Sequence, residues 1–139
     1  MAVKIYLAAS FSRQAEMRDV AIRLVGINVE ITSRWLFEEQ GMKHGNARRK
    51  HMMRCAFTDL EDVRAADMLV RFTDDLTPAM VPSYLATGAR MGETMYAYAL
   101  GKPVIIIGGH QNVFDFLPSF THLKDTDALI QYLNPEEIH

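Results

Sequence analysis

The feature that most limits the fold of this chain is the alternation of short β-rich apolar runs with longer stretches of helical periodicity. Residues 3–9 carry β-branched and aromatic side chains around one charge, then small residues, and read as a buried strand. Ser12 can cap the segment that follows, where Met17, Val20, Ala21 and Leu24 recur at helical spacing until Gly26 stops the pattern. Residues 29–32 form a second strand that opens into a loop over 33–45. Residues 47–65 are helical, with Met52, Ala56, Leu60 and Val63 as the apolar stripe. A third strand over 67–72 precedes a polar, proline-bearing loop over 73–82. The next helix starts at Ser83 or Thr87, runs to Leu100 and is closed by Gly101. A fourth strand over 103–107 precedes a turn or short helix over 112–118, an edge strand over 120–123 and a final helix, Thr126–Leu133.

Strands that alternate with helices of this length imply right-handed βαβ crossovers and a mostly parallel sheet covered on both faces. The expected architecture is α/β and flavodoxin-like (Rossmann-like): a three-layer sandwich around five strands in the order 2-1-3-4-5. With 139 residues, this is one domain over 1–139. In such sheets ligands sit beyond the carboxyl ends of the strands, near the switch point between strands 1 and 3. The places to look are just after Ala9, Thr32, Phe72 and Ile107.

Composition narrows the chemistry. Fifteen Lys and Arg against 17 Asp and Glu leave a net charge of −2, which argues against a nucleic acid polymer as partner. No apolar run approaches the roughly 18 residues needed to cross a bilayer, so no membrane partner is expected. The first residues lack the pattern of a secretory leader, and a cytoplasmic location is expected. One cysteine and five scattered histidines supply neither an internal disulfide nor a zinc site. Neither metal nor cofactor is expected, and the chemistry falls to carboxylates and hydroxyls.

Two carboxylates interrupt apolar stripes. The stripe through Met52, Ala56 and Val63 passes through position 59, an aspartate. On the next helix Ala86, Ala89, Ala97 and Leu100 share a face with Glu93. A carboxylate on a buried stripe costs several kcal/mol unless it is paired, and its pKa tends to rise. Asp59 could instead cap its helix and Glu93 could snorkel to solvent, but both point to one crevice, which favours function. Gly92 beside Glu93 implies a close approach, since glycine within a helix costs about 1 kcal/mol against alanine. A helix starting at Thr87 would aim its free N–H groups at the crevice, a ready anion site, or would simply be a capped surface helix.

Three patches resemble the nucleoside 2-deoxyribosyltransferase superfamily. They are Lys4-Ile5-Tyr6-Leu7-Ala8-Ala9-Ser10-Phe11; Thr58-Asp59-Leu60-Glu61-Asp62-Val63-Arg64-Ala65-Ala66-Asp67; and Gly88-Ala89-Arg90-Met91-Gly92-Glu93, with Gly101-Lys102-Pro103-Val104 following. Ser33-Arg34-Trp35 and Asn112-Val113-Phe114 extend the likeness over nearly the whole chain. The resemblance implies cleavage of an N-glycosidic bond, with the sugar passed to another base or to water. It makes Glu93 the nucleophile at C1′, Tyr6 the residue that orients its carboxylate, and Asp59 the contact to the base or its proton donor. Ala9, Ser10 and Arg13 after strand 1, Thr87, Gly88 and Arg90 around the helix start, and Asn112 after strand 4 become substrate contacts. Trp35 could stack on the base or anchor its loop.

The chain departs from the transferase pattern at Thr87, where the transferases have an aspartate and the 2′-deoxynucleoside 5′-phosphate N-hydrolase branch a serine. A hydroxyl there can donate to phosphate, and with Ser10, Ser12, Arg13 and Arg90 it points toward a nucleotide rather than a nucleoside. The glycine spacing around 87–93 matches neither branch. The resemblance also implies a homo-oligomer, dimer or higher, with shared sites, for which Asn112 or the C-terminal residues are the candidates to reach a neighbour. A non-catalytic nucleotide sensor or decoy on the same fold is the alternative, and an intact Tyr6, Asp59 and Glu93 argue against it. A receiver or flavin module is disfavoured because Ala8-Ala9-Ser10 stands where a receiver needs acids. Gly101-Lys102-Pro103 is not a phosphate loop, Gly108-Gly109 reads as a strand-to-loop turn, and Cys55 as a small core residue.

Overall fold

The computed structural model describes residues 2–39, 44–73 and 88–135. Five strands, β1 (Val3–Ala8), β2 (Val29–Ile31), β3 (Met68–Phe72), β4 (Val104–Ile107) and β5 (Thr121–Leu123), form one sheet in the order β2-β1-β3-β4-β5. Every pairing is parallel. The helices are α1 (Gln14–Val25), α2 (Gly45–Ala65), α3 (Gly88–Ala99) and α4 (Thr126–Leu133), with 3-10 turns at Phe11–Arg13, Arg34–Phe37 and Val113–Phe116. The expected architecture and strand order are therefore the observed ones. The strand ends differ by one residue, the usual range for element boundaries.

Register decides what faces what. Tyr6 pairs with Leu69, and Ala8 with Arg71, which pairs in turn with Ile106, so these side chains share one sheet face. Leu7, Val70 and Ile105 point to the other. Right-handed crossovers put α2 and α3, which pack together, on the Tyr6 face, and α1 with α4 on the opposite one. The α1 stripe of Met17, Val20, Ala21 and Leu24 is buried as its spacing predicts.

The expected stripe of α2 is not buried. Only Asp62 and Val63 are covered, whereas Met52 is 51% and Leu60 40% exposed, and Ala56 is exposed as well. The reason is length. Twenty-one helical residues rise roughly 31 Å, whereas the six residues of β1 rise only about 20 Å. The early turns of α2 therefore run past the carboxyl ends of the strands. Ser12 does not cap α1, either. It lies inside the 3-10 turn, its hydroxyl 2.9 Å from that of Ser10. The 73–82 loop beyond Thr73, both proposed helix starts and Ala86 lie outside the described residues.

Candidate active site

Tyr6 stands on β1, completely buried, with its ring on the α2/α3 face. Its hydroxyl donates a hydrogen bond to Oε2 of Glu93 on α3. This joins two residues 87 positions apart in the sequence. Burial above all, then the charges of Glu93 and Asp59, push the Tyr6 hydroxyl far above the ordinary phenol value. Tyr6 therefore keeps its proton and serves as a fixed donor.

Burial also pushes the Glu93 carboxyl up, to about 8, against the pull of the Tyr6 hydrogen bond and the Arg90 charge. Asp59, one turn after Cys55 on α2, is half-buried and is pushed up to about 7 by burial and then by Glu38 and Asp62. Its Oδ1 is buried and has no hydrogen-bond partner among the described residues. A buried acceptor without a partner is costly in a folded protein, and a substrate group would satisfy it. The charge of Asp59 helps to raise the pKa of Glu93, and the two values leave one proton on the pair between about pH 7 and 8. Two carboxyls in this condition can supply one anion and one acid at the same time.

The loop after β2 is pinned to β1 by side chains. β2 ends three residues after it begins, which leaves the edge of β1 at Leu7 without a strand partner. The Leu7 N–H donates to Ser33 Oγ at 2.6 Å, and Trp35 Nε1 donates to the Leu7 carbonyl at 2.7 Å. Trp35 is thereby a buried anchor of its loop, tilted against Phe11. Arg34 completes the attachment: its N–H and Nε donate to the buried Asp62 at 2.9 and 2.8 Å.

The other expected contacts are distributed as follows. Ala9 and Ser10 are half-buried directly beyond β1. Arg13 holds Glu16 through Nε and Nη2 and donates from Nη1 to the Thr73 carbonyl at 3.1 Å, over the Phe72 ring. It ties the carboxyl ends of β1 and β3 together. Arg90 is buried on α3, one turn before Glu93, and its charge favours the ionised Glu93. Asn112 accepts from the Phe114 N–H at 2.9 Å and donates to Met91 Sδ at 3.0 Å, so its amide is engaged within its own chain. Thr87 lies outside the described residues. Gly88 is the first residue of α3. Gly92 is exposed, and a Cβ there would meet nothing within 4 Å among the described residues, so none of them makes the close approach expected of it.

Gly108 is the tight position: φ is +112° and a Cβ would lie 2.2 Å from Thr73 Oγ1. That fits its reading as a strand-to-loop turn. Burial and Glu38 raise the Cys55 thiol to about 11, which keeps it protonated and a poor nucleophile. Among the described residues no cluster of three or more His, Cys, Asp or Glu could hold a metal ion. No helix among them is long and apolar enough to cross a membrane. Sequence reasoning missed Arg71 and Asp115, buried beside the site. The available signal was a charge in the apolar run Met68–Phe72, where a strand buried on both faces should be continuously hydrophobic.

No protein-family model matches the sequence, and no curated protein matches it significantly. Solved structures do. The CMP N-glycosidase BcmB of Clostridium botulinum superposes with a TM-score of 0.59 at 13% identity, over 95% of this chain and 98% of that one. The 2-deoxyribosyltransferase of the psychrotolerant bacterium Bacillus psychrosaccharolyticus superposes with a TM-score of 0.66 at 20% identity, over 94% of this chain and 92% of that one. At these identities the likeness establishes the fold. This chain is built on the same five-stranded parallel α/β sandwich as a nucleotide N-glycosidase and a deoxyribosyltransferase.

Proposed function

We propose that this protein is an N-glycosyl bond-cleaving enzyme of the nucleoside 2-deoxyribosyltransferase superfamily, acting on a (deoxy)nucleoside or its 5′-monophosphate. The observation that carries this reading is the part-buried hydrogen bond from Tyr6 to Glu93, with the half-buried Asp59 close enough to raise the pKa of Glu93. A pure binding module has no need to bury two adjacent carboxyls. The two structural neighbours, named for cleavage and transfer at the same kind of bond, support the reading.

In the reaction, a carboxylate oxygen of Glu93 forms a bond to C1′ of the sugar as the bond from C1′ to the base nitrogen breaks. The departing base takes a proton from Asp59. Water or a second base then attacks C1′, gives its proton to the Asp59 carboxylate, and releases Glu93. The reactive form has the proton on Asp59 and none on Glu93; burial of Glu93 favours the opposite distribution, so this form is the less populated one, and the hydrogen bond from Tyr6 raises its share. Arg90, buried one turn away, favours it too. Ala9, Ser10 and Arg13 beyond β1, with Thr87, Gly88 and Asn112, are the candidates to contact the sugar and its 5′ substituent.

The enzyme acts as a homo-oligomer in this reading. The uncovered Met52, Met53 and Phe57 on the projecting turns of α2 support an interface there. The decisive experiment incubates the protein with deoxynucleosides, ribonucleosides and their 5′-monophosphates, with and without an acceptor base, and chromatographs the free bases. Release from monophosphates without acceptor supports the hydrolase, and exchange that requires an acceptor supports the transferase. No release from any substrate, or a Glu93→Gln variant as active as the parent, overturns the proposal.

A further inference from the structure

A second buried polar cluster lies on the sheet face of Tyr6, one strand over. Arg71, the single charged residue of β3, is 0% exposed, as is Asp115 of the β4–β5 connection. Arg71 Nη2 donates to Asp115 Oδ1 at 2.5 Å. From its other terminal nitrogen, Nη1, it donates to Met91 Sδ at 2.9 Å and lies 3.5 Å from Thr94 Oγ1. Met91 and Thr94 bracket Glu93 on α3. Asp115 in turn organises its connection: Oδ2 accepts from the Gln111 N–H at 2.7 Å, and its carbonyl accepts from His122 Nε2 at 2.8 Å. Asn112, from the same connection, reaches the same Met91 sulfur.

A single guanidinium thus joins three elements that converge on the carboxyl pair. A buried ion pair adds little stability over well-packed apolar residues of similar volume, so stability alone does not account for it. Nor does Arg71 act through its charge. The hydrogen bond from Arg71 helps hold the Asp115 carboxyl below its ordinary range although burial pushes the other way, so the pair is ionised and internally neutral. The charges that act on Glu93 are those of Asp59, Arg90 and Asp62.

We propose that Arg71 and Asp115 form a positioning clamp that locks the Glu93 turn of α3 to the Asn112 connection, and so sets the nucleophile against the substrate sugar. The proposal rests on the glycosidase reading above for its consequence in catalysis, but not for the clamp itself. Positioning errors of about 1 Å cost roughly 100-fold in rate.

Two variants test it. The paired apolar replacement Arg71→Met with Asp115→Leu is expected to keep the melting temperature near that of the parent. Its kcat for base release should fall about 10- to 100-fold, with KM changing less and the limbs of the pH profile unmoved. Arg71→Lys retains the ion pair but cannot span Asp115, Met91 and Thr94 together, and should lose activity to an intermediate degree. In both variants amide hydrogen exchange should rise in residues 91–94 and 110–116 and stay low in α1. Parental kcat in the folded double variant, or parental exchange in Arg71→Lys, overturns the clamp. If the parent protein releases no base, the glycosidase reading fails by itself. The clamp is then judged on exchange alone, where a rise in both segments sustains it and no rise ends it.

Discussion

On one face of the sheet Leu7, Val70 and Ile105 belong to a core shared with Met17, Val20 and Leu24 of α1 and Leu129 of α4. On the other face stand Tyr6 and Arg71, two register positions apart on neighbouring strands, and beneath α2 and α3 they meet Glu93, Thr94 and Asp115. Both faces bury their side chains, but they spend the burial differently. The α1/α4 face excludes water from hydrocarbon, which stabilises the fold by roughly 25 cal/mol per Å². The α2/α3 face excludes water from carboxyls, which raises Asp59 to about 7 and Glu93 to about 8. A raised carboxyl pKa destabilises the folded state once the group ionises. One face holds the protein together while the other stores reactivity at the expense of stability, as functional sites commonly do.

Four substitutions can break or sharpen this contrast. The largest effect is expected of Glu93→Gln, which removes the proposed nucleophile. Base release should fall by about 1,000-fold or more, read by chromatography of the free base. The same variant should be more stable at alkaline pH. With a folded pKa of about 8 and an unfolded one near 4.3, Glu93 is protonated in both states at about pH 3 and costs nothing there. Its burden grows as pH rises between those two values and is complete above 8, so calorimetry at about pH 8.5 should show a higher Tm for Glu93→Gln, and equal values at about pH 3.

Leu24→Ala, on the opposite face, should do the reverse. It opens a cavity beneath a fully buried side chain and should cost about 3 kcal/mol in urea unfolding, while kcat of the folded fraction stays at the parental value. A comparable loss of kcat would mean that the two faces are mechanically coupled.

Tyr6→Phe removes the hydrogen bond that pulls the pKa of Glu93 down. That pKa therefore rises further, the alkaline limb of the pH profile, where the pair loses its last proton, moves up from about 8, and kcat falls about 10- to 100-fold. An alkaline limb that stays in place would show that Tyr6 does not act on the ionisation of Glu93. The smallest effect is expected of Gly92→Ala. Gly92 lies within α3, and no described residue comes within 4 Å of the added Cβ, so the change should stabilise α3 by up to about 1 kcal/mol. A loss of activity with that gain would place the substrate or a second subunit against the open side of Gly92.

How much of this was readable from the residues follows from the range of the interactions involved. The strand order and the α1 stripe rest on local periodicity and short connections, and these survive intact in the structure. Asp59 and Glu93 are visible as charges standing on apolar stripes, and they are the groups whose pKa values are raised beside Tyr6. Periodicity failed for Met52 and Leu60 because it reports which side chains share a helix face but not how far the sheet beneath extends. Trp35 was ambiguous for a related reason. Whether an indole stacks on a ligand or donates to the Leu7 carbonyl depends on where a three-residue strand stops.

The sequence by itself determined the alternation of strands and helices, the crossover hand that orders them, and the two carboxyls that break the apolar stripes. Those are consequences of patterns a few residues long and of backbone chirality. Only the tertiary structure decided that the Tyr6 hydroxyl meets Glu93, that the α2 stripe is left uncovered, and that Arg71 grips Asp115 across 44 residues of chain. Such contacts come from register and element length, which place distant residues in one desolvated volume. In that volume the loss of water turns an ordinary glutamate into a carboxyl that titrates at about 8.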